Sequence, residues 1–144
     1  MPKFIYVGGK KKSRWKECSM SEADNLTLVR SFIDTWPSLD PERLVQFFTA
    51  DGIYHNMPFE PVQGHDSLQA FIGAFLANWT ETKWEIISVA TSGRLVFVER
   101  VDRIITDGKT VALPCCGVFE LEDGKIKIWR DYFDMETYRR AIVG

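Results

Sequence analysis

Apolar positions recur every three to four residues in the first half of the chain and every two in the second. Leu26, Val29, Ile33 and Trp36, with Phe32 beside them, make one helical face. Ser21-Glu22-Ala23-Asp24 ahead of them is a helix-start pattern with an acidic first turn, and Pro37 stops the run. Asp40-Pro41 opens a second helix, a cap residue followed by proline at the first helical position. Its apolar face is read as Leu44, Phe47 and Phe48, and its end as Asp51-Gly52. Ile53 to Met57 reads as a short strand, and a loop containing Pro58 and Pro61 leads to Gly64. Leu68, Phe71, Ile72, Phe75 and Trp79 place a third helix from Asp66 onward.

Beyond this point the period predicts four strands: Trp84 to Ala90, Leu95 to Ile105, Val111 to Leu121 and Ile126 to Phe133. Ser92-Gly93, Asp107-Gly108 and Asp123-Gly124 separate them, and an X-Gly pair between two apolar runs is a strong hairpin signal. Met135 to Ile142 closes the chain as a short helix. The expected fold is α+β: a curved antiparallel meander with helices covering one face.

Composition narrows the class. The chain has 144 residues, 45% hydrophobic and 26% charged, which fits one globular domain and excludes disorder, collagen and coiled coil. Three cysteines, Cys18, Cys115 and Cys116, are too few for a disulfide scaffold. The net charge of −2 conceals a division. Residues 1–20 hold six basic side chains against one acid, and residues 21–144 hold 12 basic against 19 acidic. Residues 1–20 are therefore expected to be a basic, loosely ordered arm, and residues 21–144 a single acidic domain. Contact with an anionic surface is the arm's functional alternative, and Met20 is a candidate translation start. An acidic body is a poor match for nucleic acid. No membrane-spanning run and no secretory core are present, so the expected location is the cytoplasm.

The candidate chemistry lies on strand faces, because side chains two apart share a face. Val96, Val98, Arg100, Asp102 and Ile104 share one, which sets an opposite-charge pair within an apolar row. Tyr54 and Asn56 share another, and Trp129, Asp131 and Phe133 a third. An ionised Asp between two aromatics is costly unless it is hydrogen-bonded or has work to do. Two readings fit: a buried ion-pair network that orients strands, or two carboxylates around one arginine pushed to different protonation states, one an acid and one a base. No nucleophile elbow, phosphate loop or dinucleotide fingerprint occurs. His55 and His65 stand outside any ligand-spaced cluster, so no metal is expected. Cys115 is read as a pocket or core wall and Cys116 as packing.

Tyr54-His55-Asn56-Met57-Pro58, Glu99-Arg100-Val101-Asp102, Gly117-Val118-Phe119 and Trp129-Arg130-Asp131-Tyr132-Phe133-Asp134 together resemble the limonene-1,2-epoxide hydrolase family, from about Leu26 to Tyr138. The resemblance implies a cone-shaped fold of the nuclear transport factor two-like and ketosteroid-isomerase-like kind, with helices on the concave face of an antiparallel or mixed sheet. It also implies one-step hydrolysis of an epoxide to a vicinal diol without cofactor or covalent intermediate. Asp131 matches the general base, Tyr54 and Asn56 the residues holding water, Asp102 the general acid, and Arg100 the bridge between the carboxylates. The matching substrate wall is Ile33, Trp36, Phe75, Trp79, Ile104, Leu113, Cys115, Phe133 and Tyr138. Trp36 and Trp79 are bulkier than the aliphatic residues expected there, which weighs against limonene oxide as the preferred substrate. Glu81 and Trp84 are expected near the cavity rim. The expected partners are a small apolar epoxide, water and a second copy of the chain, paired through the outer sheet face. An isomerase or cyclase, and a small-molecule-binding protein with a structural charge network, are the alternatives on the same fold.

Overall fold

A computed structural model describes residues 20–144; apart from Met20, the basic arm and its Cys18 lie outside the described residues. α1, Glu22–Thr35, starts at a capping box: the Ser21 hydroxyl accepts from the Asp24 N–H, and the Asp24 carboxylate accepts from the Ser21 N–H. A 3₁₀ turn at Trp36–Ser38 carries the chain to α2, Pro41–Val45, whose first N–H groups donate to Asp40. β1 (Phe48–Asn56), β2 (Val62–Gln63) and α3 (His65–Leu76) follow. Then come β3 (Trp79–Ser92), β4 (Leu95–Thr106), β5 (Lys109–Glu122), β6 (Lys125–Phe133) and α4 (Met135–Val143).

The strands form one sheet in the order β2-β1-β6-β5-β4-β3. β3 to β6 are the expected antiparallel meander, and β1 lies parallel to β6, so the sheet is mixed. At Asp107-Gly108 and at Asp123-Gly124 both residues have positive φ, the geometry that suits a two-residue hairpin to the strand twist. α1 packs on β3 and β4, α3 on β1 and α4 on β5. Phe32 of α1 sits at the centre of the core, edge-on to the rings of Trp36, Phe48, Phe119 and Trp129 at 5.1–6.0 Å.

Three boundaries differ from the sequence expectation, the first being the β3–β4 turn, which falls at Gly93-Arg94 with Ser92 still paired to Leu95. α2 ends at Val45, and Phe48, Asp51 and Gly52 belong to β1. Asp51-Gly52 is a break in the β1–β6 register rather than a helix stop, and a Cβ at Gly52 would lie 2.9 Å from the Cβ of Phe48. α3 ends at Leu76, and Trp79 is the first residue of β3, opposite Thr106. Trp79 still packs beside Phe75, their rings 5.5 Å apart, because the turn through Ala77 and Asn78 brings it back where a fourth helical turn would have placed it. The two-residue strand β2 stands where a loop was expected. Cys116, expected to pack, is exposed on the outer sheet face.

Candidate active site

The sheet register assembles the polar groups. Asn56 of β1 lies beside Asp131 of β6, Asp131 beside Gly117 of β5, and Cys115 of β5 beside Arg100 of β4. The parallel β1–β6 pair is what brings Tyr54 and Asn56 next to Trp129 and Asp131. All five candidate chemical residues are buried together on the helix-covered face: Arg100 is 1% exposed, Asp131 3%, Tyr54 3%, Asp102 4% and Asn56 8%.

Arg100 ties the two carboxylates into one unit. Its Nε donates to Asp102 Oδ1 at 2.7 Å and its Nη2 to Asp102 Oδ2 at 3.0 Å. Nη1 and Nη2 donate to Asp131 Oδ1 and Oδ2 at 2.8 and 2.7 Å. The fork geometry of a guanidinium is suited to holding two carboxylates at once. Burial opposes the Arg100 charge, but the Asp131 and Asp102 carboxylates outweigh it and hold the group firmly cationic. One cation among two buried carboxylates balances only one negative charge, so the unit favours retaining a proton. Burial pushes the Asp102 carboxyl up to about 6, with Arg100 pulling the other way and the Asp131 charge adding to the rise. Burial also raises the Tyr54 phenol well above its ordinary range, so it stays a neutral hydroxyl.

Tyr54, Asn56, Asp102 and Asp131, but not Arg100, form the floor of an apolar cavity of about 130 Å³. Its walls include Trp36, Phe75, Trp79, Ile104, Leu113, Cys115, Phe133 and Tyr138. Ile33 of α1, expected among them, is buried instead in the main core and outside the lining. Phe59, Trp84 and Met135 complete the lining, and sequence spacing did not single out Phe59 or Met135 as wall residues. Trp84 is set against Arg100 rather than at the rim, while Glu81 is exposed and outside the lining. Asn56 Oδ1 is buried without a hydrogen-bond partner among the described residues, an acceptor left open at the cavity floor. The Cys115 thiol donates to Asp102 Oδ2 at 3.4 Å and is held protonated, chiefly by burial. Asp102, Cys115 and Asp131 bring ligand-type atoms within 4.8 Å of one another, but all four carboxylate oxygens already accept from Arg100, so a cation there would face the guanidinium. No described helix is long and apolar enough to cross a membrane.

Gly117 is a positional requirement that neither motif nor period explains. A Cβ there would lie 3.0 Å from Arg100 Nη1, 3.0 Å from a ring carbon of Phe119 and 3.1 Å from Trp129 Nε1. Arg100 therefore crosses β5 over a bare backbone to reach Asp131. Neither the pinned guanidinium nor the packed rings can yield, so Gly117→Ala is expected to cost about 1–3 kcal/mol of stability. It should also lower turnover by displacing Arg100; thermal melts and diol assays on the one variant check both.

A mixed sheet with helices over one face, closed around a pocket, defines the nuclear transport factor two-like fold. A ketosteroid isomerase-like protein from Catenulispora acidiphila, solved with trimethylamine, shares that fold at a TM-score of 0.73 and 19% identity, over 79% of this chain and 90% of the other. Residues 23–143 match the model of the limonene-1,2-epoxide hydrolase catalytic domain, and the chain belongs to that family of epoxide hydrolases. It is 28% identical to the epoxide hydrolase EphG of Mycobacterium tuberculosis over 107 residues, 74% of this chain and 71% of the relative. A solved LEH-like epoxide hydrolase from M. tuberculosis superposes with a TM-score of 0.72 at 25% identity, covering 85% of this chain and 94% of that one.

Proposed function

We propose that the chain opens a small apolar epoxide, whether cyclic, terpene-like or aryl, to a vicinal diol in one step, with water as the nucleophile. The observation that carries this reading is Arg100 joining Asp102 to Asp131 at the floor of an apolar cavity, beside the open acceptor of Asn56. An epoxide is strained, but its leaving group is a poor alkoxide, so ring opening needs a nucleophile on carbon and a proton on oxygen together. In this mechanism Asp131 takes a proton from a water held by Tyr54 and Asn56. The water oxygen bonds to one ring carbon, the C–O bond breaks toward the epoxide oxygen, and that oxygen takes the proton of Asp102. Asp131 ends protonated and Asp102 ionised, and exchange with solvent restores them. General acid and general base each supply about 10²–10⁴-fold, and fixing the water at roughly 3 Å from carbon adds an orientation term.

A volume of about 130 Å³ is near that of a cavity on the order of 150 Å³ that takes benzene, so compact one-ring substrates fit best. Diol formation from a panel of cyclic and aryl epoxides tests the reading; no turnover of any member would count against it. Because Asp102 donates only while protonated, kcat/KM should fall as pH rises beyond about 6, and a flat profile through pH 8 would remove Asp102 as the acid. The reading includes a homodimer through the outer sheet face, where Ile87 and Tyr132 are exposed; light scattering that returns a monomer would remove it.

A further inference from the structure

We propose that Trp84, pinned by Thr82, is a positioning residue for epoxide opening, holding the Arg100 guanidinium where it reaches both carboxylates. This rests on the acid–base reading above and adds to it a part that the charged groups cannot supply themselves. The hydrogen bonds of Arg100 all lie at the edge of its plane and restrain it within that plane. Motion along the normal needs a face contact. Trp84 supplies one, its ring centroid 4.3 Å from Arg100 Cζ. The Trp84 ring is itself backed by Trp36, stacked at 4.1 Å and 18°. Trp36 is stacked in turn on Phe75 at 6.0 Å and 8°. The indole N–H donates to Thr82 Oγ1 at 3.0 Å, and Thr82 Oγ1 donates to the Arg103 carbonyl at 3.0 Å, which fixes the rotation of the ring to β4. Guanidinium, indole, indole and phenyl thus form a column from the charged floor to α3.

The reaction gives this column a task. Negative charge starts on Asp131 and ends on Asp102, so the cation between them is drawn from one to the other during ring opening. A guanidinium that slid toward the newly ionised carboxylate would weaken the field the transition state needs, and a fixed one preserves it. A desolvated cation–π contact is strong enough to hold it.

The test compares Trp84→Leu, Trp84→Phe and Thr82→Val with the parent and with Asp131→Asn. Thr82 is buried and outside the cavity lining, so a kinetic effect there has to act through Trp84. Folding is checked by circular dichroism, and kcat and KM are measured on a compact epoxide. The expected result for Trp84→Leu is a kcat roughly 10- to 30-fold lower with KM within about twofold. Trp84→Phe should recover most of kcat, and Thr82→Val should lose a few-fold in kcat alone. If Trp84→Leu does not fold, the near-isosteric Thr82→Val, read against Trp84→Phe, decides. An undiminished kcat in Trp84→Leu or Thr82→Val overturns the proposal. So does a rise in KM with kcat kept, which would make Trp84 only a wall. Activity surviving in Asp131→Asn would instead overturn the acid–base reading, so the two failures are distinct.

Discussion

Asp131→Asn is expected to stop diol formation, with a loss of about 10²–10⁴-fold or more, and Asp102→Asn to do the same from the other side of Arg100. The variants differ in what they remove. Asparagine at position 131 cannot take a proton from water, while asparagine at position 102 cannot give one to the departing oxygen with a carboxylic acid's strength. Neither change should unfold the protein, because each leaves Arg100 one carboxylate to pair with and keeps the side-chain volume. The double variant strands a buried cation and is expected to be markedly less stable than either single one. Turnover by enzyme of confirmed native circular dichroism is the check. Activity retained in both single variants would reduce the charged unit to the structural ion pair that the strand pattern alone also allows.

Arg100→Leu should cost about 3–5 kcal/mol of stability at neutral pH, because it leaves two carboxylates buried beside each other without their shared donor. For a domain of this size that is a fall of roughly 10–20 °C in melting temperature. The loss should shrink on acidification. Burial already raises the Asp102 carboxyl and Arg100 pulls it down, so without Arg100 Asp102 holds its proton more tightly folded than unfolded, and the cost is present above its folded-state value and recedes as pH falls through it. A melting deficit independent of pH between 4 and 8 would show that the substitution disturbs packing rather than charge.

Much of this site was legible in strand alternation, for a physical reason. β4 buries every second residue from Val96 to Thr106, so Arg100 and Asp102 in that row had to be inside. Two of the three hairpins were equally legible, since an Asp-Gly pair with both φ angles positive leaves little choice of turn, while the first turns at Gly93-Arg94, one residue beyond the expected Ser92-Gly93. The errors came where one local signal serves two structures. Phe47-Phe48 before Asp51-Gly52 fits the end of an amphipathic helix, yet Phe48 is taken into β1 opposite Ile126. Trp79 continues the α3 spacing although it starts β3. Two features lay beyond any local pattern. The parallel β1–β6 pairing joins residues some 75 positions apart and brings Asn56 to Asp131. The need for a bare backbone at Gly117 arises where Arg100 from β4 crosses β5 and the rings of Phe119 and Trp129 close in beside it. Ile33 matches a wall position of the family but is buried in the core and absent from the cavity lining, while Trp36, three residues on, does line it.

The most direct test of direct water attack is a single turnover in ¹⁸O-water with enzyme in excess over a compact epoxide. If Asp131 activates water for attack on carbon, the diol of that first turnover carries one labelled oxygen and the protein carries none. An unlabelled first diol, with ¹⁸O recovered in the carboxylate of Asp131 or Asp102, would mean a covalent ester and would contradict the account.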